Sequence, residues 1–128
     1  NEADILLCFE QLEALRWIDY AKKDGAVIVN TQMIDPMPVI TGSAKYPENI
    51  IEKIKENYPN TISVPALEMA KACGSVKAVN VVMIGVMARR TGIDREIWLN
   101  AIKKIIKPQF VDMNIKAFNM GYEFEEVK

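Results

Sequence analysis

The sequence predicts an α/β fold: a mostly parallel sheet with flanking helices, three-layered and Rossmann-like, followed by a helical C-terminal cap. Three observations predict it. Two apolar runs, Ile5-Leu6-Leu7-Cys8-Phe9 and Ala26-Val27-Ile28-Val29-Asn30, bracket a stretch of helical periodicity, and strand–helix–strand at this spacing is a parallel pair with a right-handed crossover. Each run is continuously apolar, as strands covered on both faces are. From residue 66 to residue 121 the pattern is helical throughout.

Between the first two strands, Leu12, Leu15 and Ile18, flanked by Trp17 and Ala21, form one helical stripe, while Arg16, Asp19, Lys22 and Lys23 face water. The lysines are expected in the last turn, where they complement the helix dipole, with Gly25 as the stop. Residues 31–46 form a long connection containing Pro36, Pro38 and Gly42, within which Val39-Ile40-Thr41 is expected as a short edge strand. Pro47 then opens a helix at a position where a missing N–H costs nothing. Ile50, Ile51, Ile54 and Tyr58 are its buried face, Pro59-Asn60 ends it, and Thr61-Ile62-Ser63-Val64 is the third strand.

In the helical half, residues 66–73 make two turns, Gly74 fits a left-handed C-terminal cap and Ser75 the N-cap of the next helix, 76–90. That helix is apolar nearly all round through residues 81–88, so it should be covered on every side. Ala78, Val82 and Gly85 give it a small-residue stripe along which another backbone could approach closely. Asp94 and Glu96 begin the following helix and Lys103, Lys104 and Lys107 end it, with Ile97, Trp98, Ala101, Ile102 and Ile105 as its core face. Pro108 starts the last helix, where Val111, Ile115, Phe118 and Tyr122 align. The chain, residues 1–128, reads as one domain. Because Asn1-Glu2-Ala3-Asp4 runs straight into a strand, it reads as the back portion of a larger α/β domain.

Composition narrows the chemistry. Half of the 128 residues are hydrophobic and 26% are charged, the balance of a globular domain. A net charge of -1 with both signs interspersed offers no basic face for nucleic acid. The longest apolar stretch is too short to cross a bilayer, which makes a cytoplasmic location the default. Cys8 and Cys73 are far apart in apolar settings and are expected as buried free thiols; two isolated thiols cannot ligate an iron–sulfur cluster. Histidine is absent, which removes the commonest general base and metal ligand. No catalytic residue and no metal ligand is therefore assigned to this chain, and its chemistry is expected to reside in a partner.

Candidate cleft residues follow from the fold class, because ligands lie beyond the carboxyl ends of parallel strands. Glu10-Gln11 follow the first strand, Asn30-Thr31-Gln32 the second and Pro65-Ala66 the third. The ordinary role of Glu10 is to neutralise a helix N-terminus, and that of Asn30 and Thr31 is to cap a turn. Met33, Ile34, Met37 and Val39 give the long connection apolar area suited to a protein partner or a bulky ligand. Asn80 and Asn114 fall among apolar helical residues. As buried amides they should have specific partners, either as ties between helices or at a subunit interface or cofactor cleft.

Several of these stretches carry a resemblance. Residues 10–16 (Glu10-Gln11-Leu12-Glu13-Ala14-Leu15-Arg16) after a strand, Gly25-Ala26-Val27-Ile28-Val29-Asn30, Asn80-Val81-Val82-Met83-Ile84-Gly85, and Asn114 through Ala117 and Phe118 to Gly121 occur in one order. Together they resemble the gamma-type domain of 2-oxoacid:ferredoxin oxidoreductases, and within it the beta subunits of the indolepyruvate oxidoreductases, to which Phe9–Arg16 and Pro36-Met37-Pro38-Val39 are similar. The resemblance spans nearly the whole chain; its motifs persuade by collinearity rather than singly. It implies a subunit of an enzyme that oxidatively decarboxylates 2-oxoacids (indolepyruvate or another arylpyruvate) to acyl-coenzyme A and passes electrons to ferredoxin. It also implies an alpha partner subunit carrying thiamine diphosphate and [4Fe-4S] clusters, with no cofactor bound by this chain alone. The family's domain opens with a glycine-rich strand–loop–helix that this sequence lacks. Its absence is expected to leave one sheet edge open to homodimer formation or strand exchange. The alternatives are the gamma subunit of a pyruvate- or 2-oxoglutarate-type enzyme and, from another class, a non-catalytic protein-interaction module.

Overall fold

Residues 2–32 and 49–126 are described by the structure, a computed structural model. The chain divides into two units, Asn1–Ser63 and Val64–Lys128. The expected edge strand at Val39-Ile40-Thr41, the helix start at Pro47 and the apolar side chains of residues 33–39 lie outside the described residues.

The first unit runs β1 (Ala3–Cys8), α1 (Gln11–Trp17), a 3-10 turn (Ile18–Tyr20), β2 (Ala21–Asn30), α2 (Ile50–Asn57) and β3 (Thr61–Val64), in one sheet of order β1-β2-β3. β1 and β2 are parallel, with Ile5 opposite Ala26 and Cys8 opposite Val29, as a βαβ unit requires. Cys8, Val27 and Val29 from the strands, Ala14 from α1, and Ile50, Ile51, Ile54 and Tyr58 from α2 and its end form one buried cluster. Each aliphatic side chain so removed from water contributes about 1.5–3 kcal/mol. All four of the α2 residues expected inside are inside.

The expected helix through Lys23 is not there. It ends at Trp17, and β2 begins at Ala21, four residues before the predicted stop. The cause is tertiary. Ala3 lies opposite Ala21 and Ile5 opposite Ala26, so β2 advances five residues while β1 advances two, an irregularity that folds the extra residues into a bulge. Lys22 Nζ reaches Asp4 Oδ1 on β1 at 2.6 Å. Gly25 is not a helix stop. A Cβ there would meet the backbone oxygens of Asp4 at 2.9 Å and Ala3 at 3.1 Å, so glycine permits the close strand approach at the bulge.

The second unit contains α3 (Ala66–Ala72), a 3-10 turn (Val76–Ala78), α4 (Val79–Ala88), α5 (Arg95–Ile105) and α6 (Pro108–Glu123). Gly74 ends α3 in the left-handed region (φ 105°), with Ser75 N–H donating to Ala70 O at 3.2 Å and Gly74 N–H to Lys71 O at 3.0 Å. Ser75 Oγ accepts from Lys77 N at 3.1 Å, the cap expected of it, although the first turn it caps is 3-10. In α4, Val82, Met83, Gly85, Val86 and Ala88 are buried. Its partner is α6: a Cβ on Gly85 would stand 2.9 Å from Tyr122 N, and one on Gly121 would stand 3.0 Å from Val86 N. The small-residue stripe therefore has the close neighbour the sequence called for.

α5 departs from expectation. None of its residues is buried, and Ile97 and Ile105, both expected in the core, are 61% and 79% exposed. The helix is sheltered along a narrow strip, where the Trp98 ring stacks over Phe118 of α6 at 6.2 Å. An apolar set reaching from Ile97 to Ile105 is wider than that strip.

Candidate functional site at the carboxyl ends of the first two strands

The end of β1 and the end of β2 bring Glu10, Gln11, Asn30, Thr31 and Gln32 together. Glu10 is the N-cap of α1 in extended conformation, and its carboxylate accepts from Leu12 N at 3.1 Å and from Glu13 N. Glu13 Oε1 in turn accepts from Phe9 N at 3.0 Å, a reciprocal cap that satisfies the exposed amides of the turn. The N-terminus of α1 is thus filled by the chain's own carboxylates, and a phosphate would meet negative charge there.

Asn30 is fully buried. Its Nδ2 donates to Phe9 O at 3.1 Å and lies 3.4 Å from Gln32 Oε1, while its Oδ1 accepts from Gln32 N at 3.3 Å. From the other side Gln11 Nε2 donates to Thr31 O at 2.6 Å, and Gln11 N–H to Gln32 O at 3.2 Å. These bonds clamp the end of β2 to the start of α1. The cluster is a positioning device: its polar atoms are directed at the chain itself. Glu10 and Asn30 therefore take the capping roles foreseen for them, and Gln11 supplies a cross-tie that only the fold reveals.

The helical asparagines go elsewhere. Asn80 is exposed in the first turn of α4, and Asn114 is half-buried, with Nδ2 donating to Phe110 O of its own helix at 2.8 Å. Neither is a buried tie between helices, because each lies on a side of its helix that α4–α6 packing leaves open. The buried polar atoms without a partner among the described residues are instead Trp98 Nε1 and Asn119 Oδ1.

A second arrangement escaped the sequence. A cleft of about 300 Å³ is lined by Arg89, Arg95, Tyr122, Glu123 and Glu125. Arg95 lies over the Tyr122 ring at 4.0 Å and pairs with Glu123 at 3.2 Å, and Arg89 pairs with Glu125 at 3.3 Å. Each arginine faces its own carboxylate, so the cleft offers no unsatisfied charge. Each arginine is 28 or 36 positions from its carboxylate, and no spacing rule links them.

Both cysteines are free and buried, as expected. The Cys8 thiol is pushed up to about 12 by burial, with Glu13 and Glu10 adding to the effect, which keeps it protonated and unreactive. Cys73 Sγ lies 2.8 Å from Met120 Sδ in the second unit. No group of three metal-ligating side chains comes together among the described residues. These donors do not fit an iron–sulfur cluster, whose ligands must converge as thiolates. Among the same residues, no helix is long and apolar enough to cross a membrane.

A family model described as pyruvate ferredoxin/flavodoxin oxidoreductase matches residues 1–124. The chain belongs to that family. It is 40% identical over 126 residues to "Indolepyruvate oxidoreductase subunit IorB" of Archaeoglobus fulgidus and 37% identical to the protein of the same name from Pyrococcus horikoshii. Each alignment covers 94% of this chain and 62% of the relative, so the chain spans less than two thirds of the relatives' length. A "Ketoisovalerate oxidoreductase subunit VorA" of Methanothermobacter thermautotrophicus is 40% identical over 67 residues, 49% of this chain and 14% of that protein.

Proposed function

We propose that the chain serves as a subunit of a thiamine-dependent 2-oxoacid:ferredoxin oxidoreductase of the indolepyruvate or arylpyruvate type. The observation that carries this assignment is the alignment of 94% of the chain with IorB subunits at up to 40% identity. In the proposed complex a 2-oxoacid, coenzyme A and oxidised ferredoxin become acyl-coenzyme A, carbon dioxide and reduced ferredoxin. Thiamine diphosphate and the [4Fe-4S] clusters reside in the companion alpha subunit. Two properties of this chain support the division of labour: it has no histidine, and its thiols are buried one in each unit. This chain contributes form rather than reacting groups, presenting a sheet and a helical surface against which the companion is held.

Co-expression with the companion subunit tests the assignment. The purified pair should reduce ferredoxin when given indolepyruvate and coenzyme A, and neither subunit alone should do so. A pair that fails to associate, or turnover by this chain unaided, would overturn it. The shorter VorA match favours a second substrate class, the branched-chain 2-oxoacids. Comparing kcat/KM for aryl, branched-chain and small 2-oxoacids, pyruvate and 2-oxoglutarate included, decides between them.

A further inference from the structure

The helical unit holds α5 differently from its neighbours. α4 and α6 approach backbone to backbone at Gly85 and Gly121, and both have buried residues. None of the 11 residues of α5 is buried. Two side chains in its first turn attach it to α6. Arg95 lies over the Tyr122 ring at 4.0 Å and pairs with Glu123 at 3.2 Å, and the Trp98 ring stacks on Phe118 at 6.2 Å. The Glu123 side chain is exposed, so that ion pair is a weak tie. Docking of Trp98 carries a cost of its own. Its Nε1 is buried with no acceptor among the described residues, whereas water would accept that hydrogen bond once the helix moved away. Non-helical backbone joins both ends of α5 to the fixed pair. Gly92 precedes it at φ 76°, in open space, and Ile106 and Lys107 follow it in extended conformation.

We propose that α5 is a latched strap, which opens as a unit between these two hinges while the α4–α6 pair stays folded, and so uncovers the rings of Phe118 and Tyr122. Arg95 and Trp98 are the latch. With α5 in place Phe118 is fully buried and Tyr122 half-buried, their rings stacked at 6.0 Å. A helix of 11 residues is marginal in water without tertiary contacts, so α5 loses its helical hydrogen bonds once undocked. The close contacts of Gly85 and Gly121 involve α4 and α6 alone and survive that opening. Elements with few buried apolar side chains are the ones that open below the global free energy. The strap is a property of the isolated chain and does not depend on the subunit assignment.

Amide hydrogen exchange of the full chain, resolved by residue with NMR, tests this. The amides of residues 99–105 should be at least about tenfold less protected than those of residues 83–88. Their protection should also fall with urea at less than about half the slope, because opening α5 exposes less surface than global unfolding. Arg95→Met should lower protection in α5 at least a further threefold, and Glu123→Gln about twofold, with residues 83–88 unchanged. Trp17→Phe leaves Trp98 as the single tryptophan, and its emission should shift to the red at lower urea than the loss of helical circular dichroism. Equal protection and equal urea slopes in α4 and α5 would overturn the proposal. So would an Arg95→Met protein that loses protection alike in α4, α5 and α6, or a Trp98 emission change that coincides with the loss of helix.

Discussion

Replacing Gly121 by alanine sets two opposed effects against each other. In an isolated helix the change is favourable by about 1 kcal/mol, because glycine loses more backbone freedom on ordering than alanine. Here the new methyl would lie 2.9 Å from Val82 C and 3.0 Å from Val86 N, and closer still to Val82 O. These are backbone atoms of α4, so no rotamer change relieves them. Restoring ordinary contact requires α4 and α6 to separate by roughly 1 Å, which forfeits a quarter to a half of the dispersion energy along the seam. Overpacking of this kind costs about 1–3 kcal/mol and more where backbone must move. We expect a net destabilisation of about 2 kcal/mol, a fall of roughly 7 °C in Tm for a chain of this length. Urea denaturation followed by circular dichroism measures it. Gly85→Ala, facing Tyr122 N at 2.9 Å and Phe118 C at 3.1 Å, should behave alike. Gly92→Ala is the comparison: φ is 76° and nothing lies within 4 Å, so it should cost only the conformational strain, about 1 kcal/mol. A Gly121→Ala protein as stable as wild type, or more stable, would show that the α4–α6 crossing is looser than described.

Asn30→Ala leaves Phe9 O and Gln32 N without their buried partner and should destabilise by about 1–3 kcal/mol, with faster hydrogen exchange at the Gln32 amide. Glu10→Ala removes the cap of α1 and should cost about 1 kcal/mol in the same denaturation assay, whereas Glu10→Asp should retain most of it. The raised Cys8 pKa predicts slow alkylation: at pH 8.5 iodoacetamide should modify the folded chain at Cys8 at least about 100-fold more slowly than the denatured chain, read by intact mass. The same shift has a sign for stability. The folded state holds its proton more tightly than the ordinary thiol at 9.0, so the contribution is intact below pH 9 and is lost as pH rises from there towards about 12. Cys8→Ser should flatten that alkaline limb.

Local pattern carried the core of the fold, and the reason is that its periodicity was unambiguous. The continuous runs at residues 5–8 and 26–29 are the strands β1 and β2, and Ile50, Ile51 and Ile54 bury together because i, i+1, i+4 fall on one helical face. Gly74 and Ser75 ended one helix and began the next by backbone conformation and a side-chain oxygen, both local properties. The collinear motifs that resemble the 2-oxoacid oxidoreductases were legible for the same reason, since they are order along the chain, and the family match covers residues 1–124.

Tertiary structure decided what depends on a neighbour from elsewhere in the sequence. Lys22, Lys23 and Gly25 continue a helical pattern in sequence, yet pairing with β1 draws them into β2, with Asp4 as the partner and the bulge as the result. Ile97 and Ile105 have the periodicity of a core face, and only the extent of α6 determines that they stay in water. Asn80 and Asn114 were surrounded by apolar residues along the chain but not in space, whereas Gln11 and Thr31, twenty positions apart, meet at 2.6 Å. Periodicity specifies which residues share a side of an element; whether anything covers that side is a property of the packed chain.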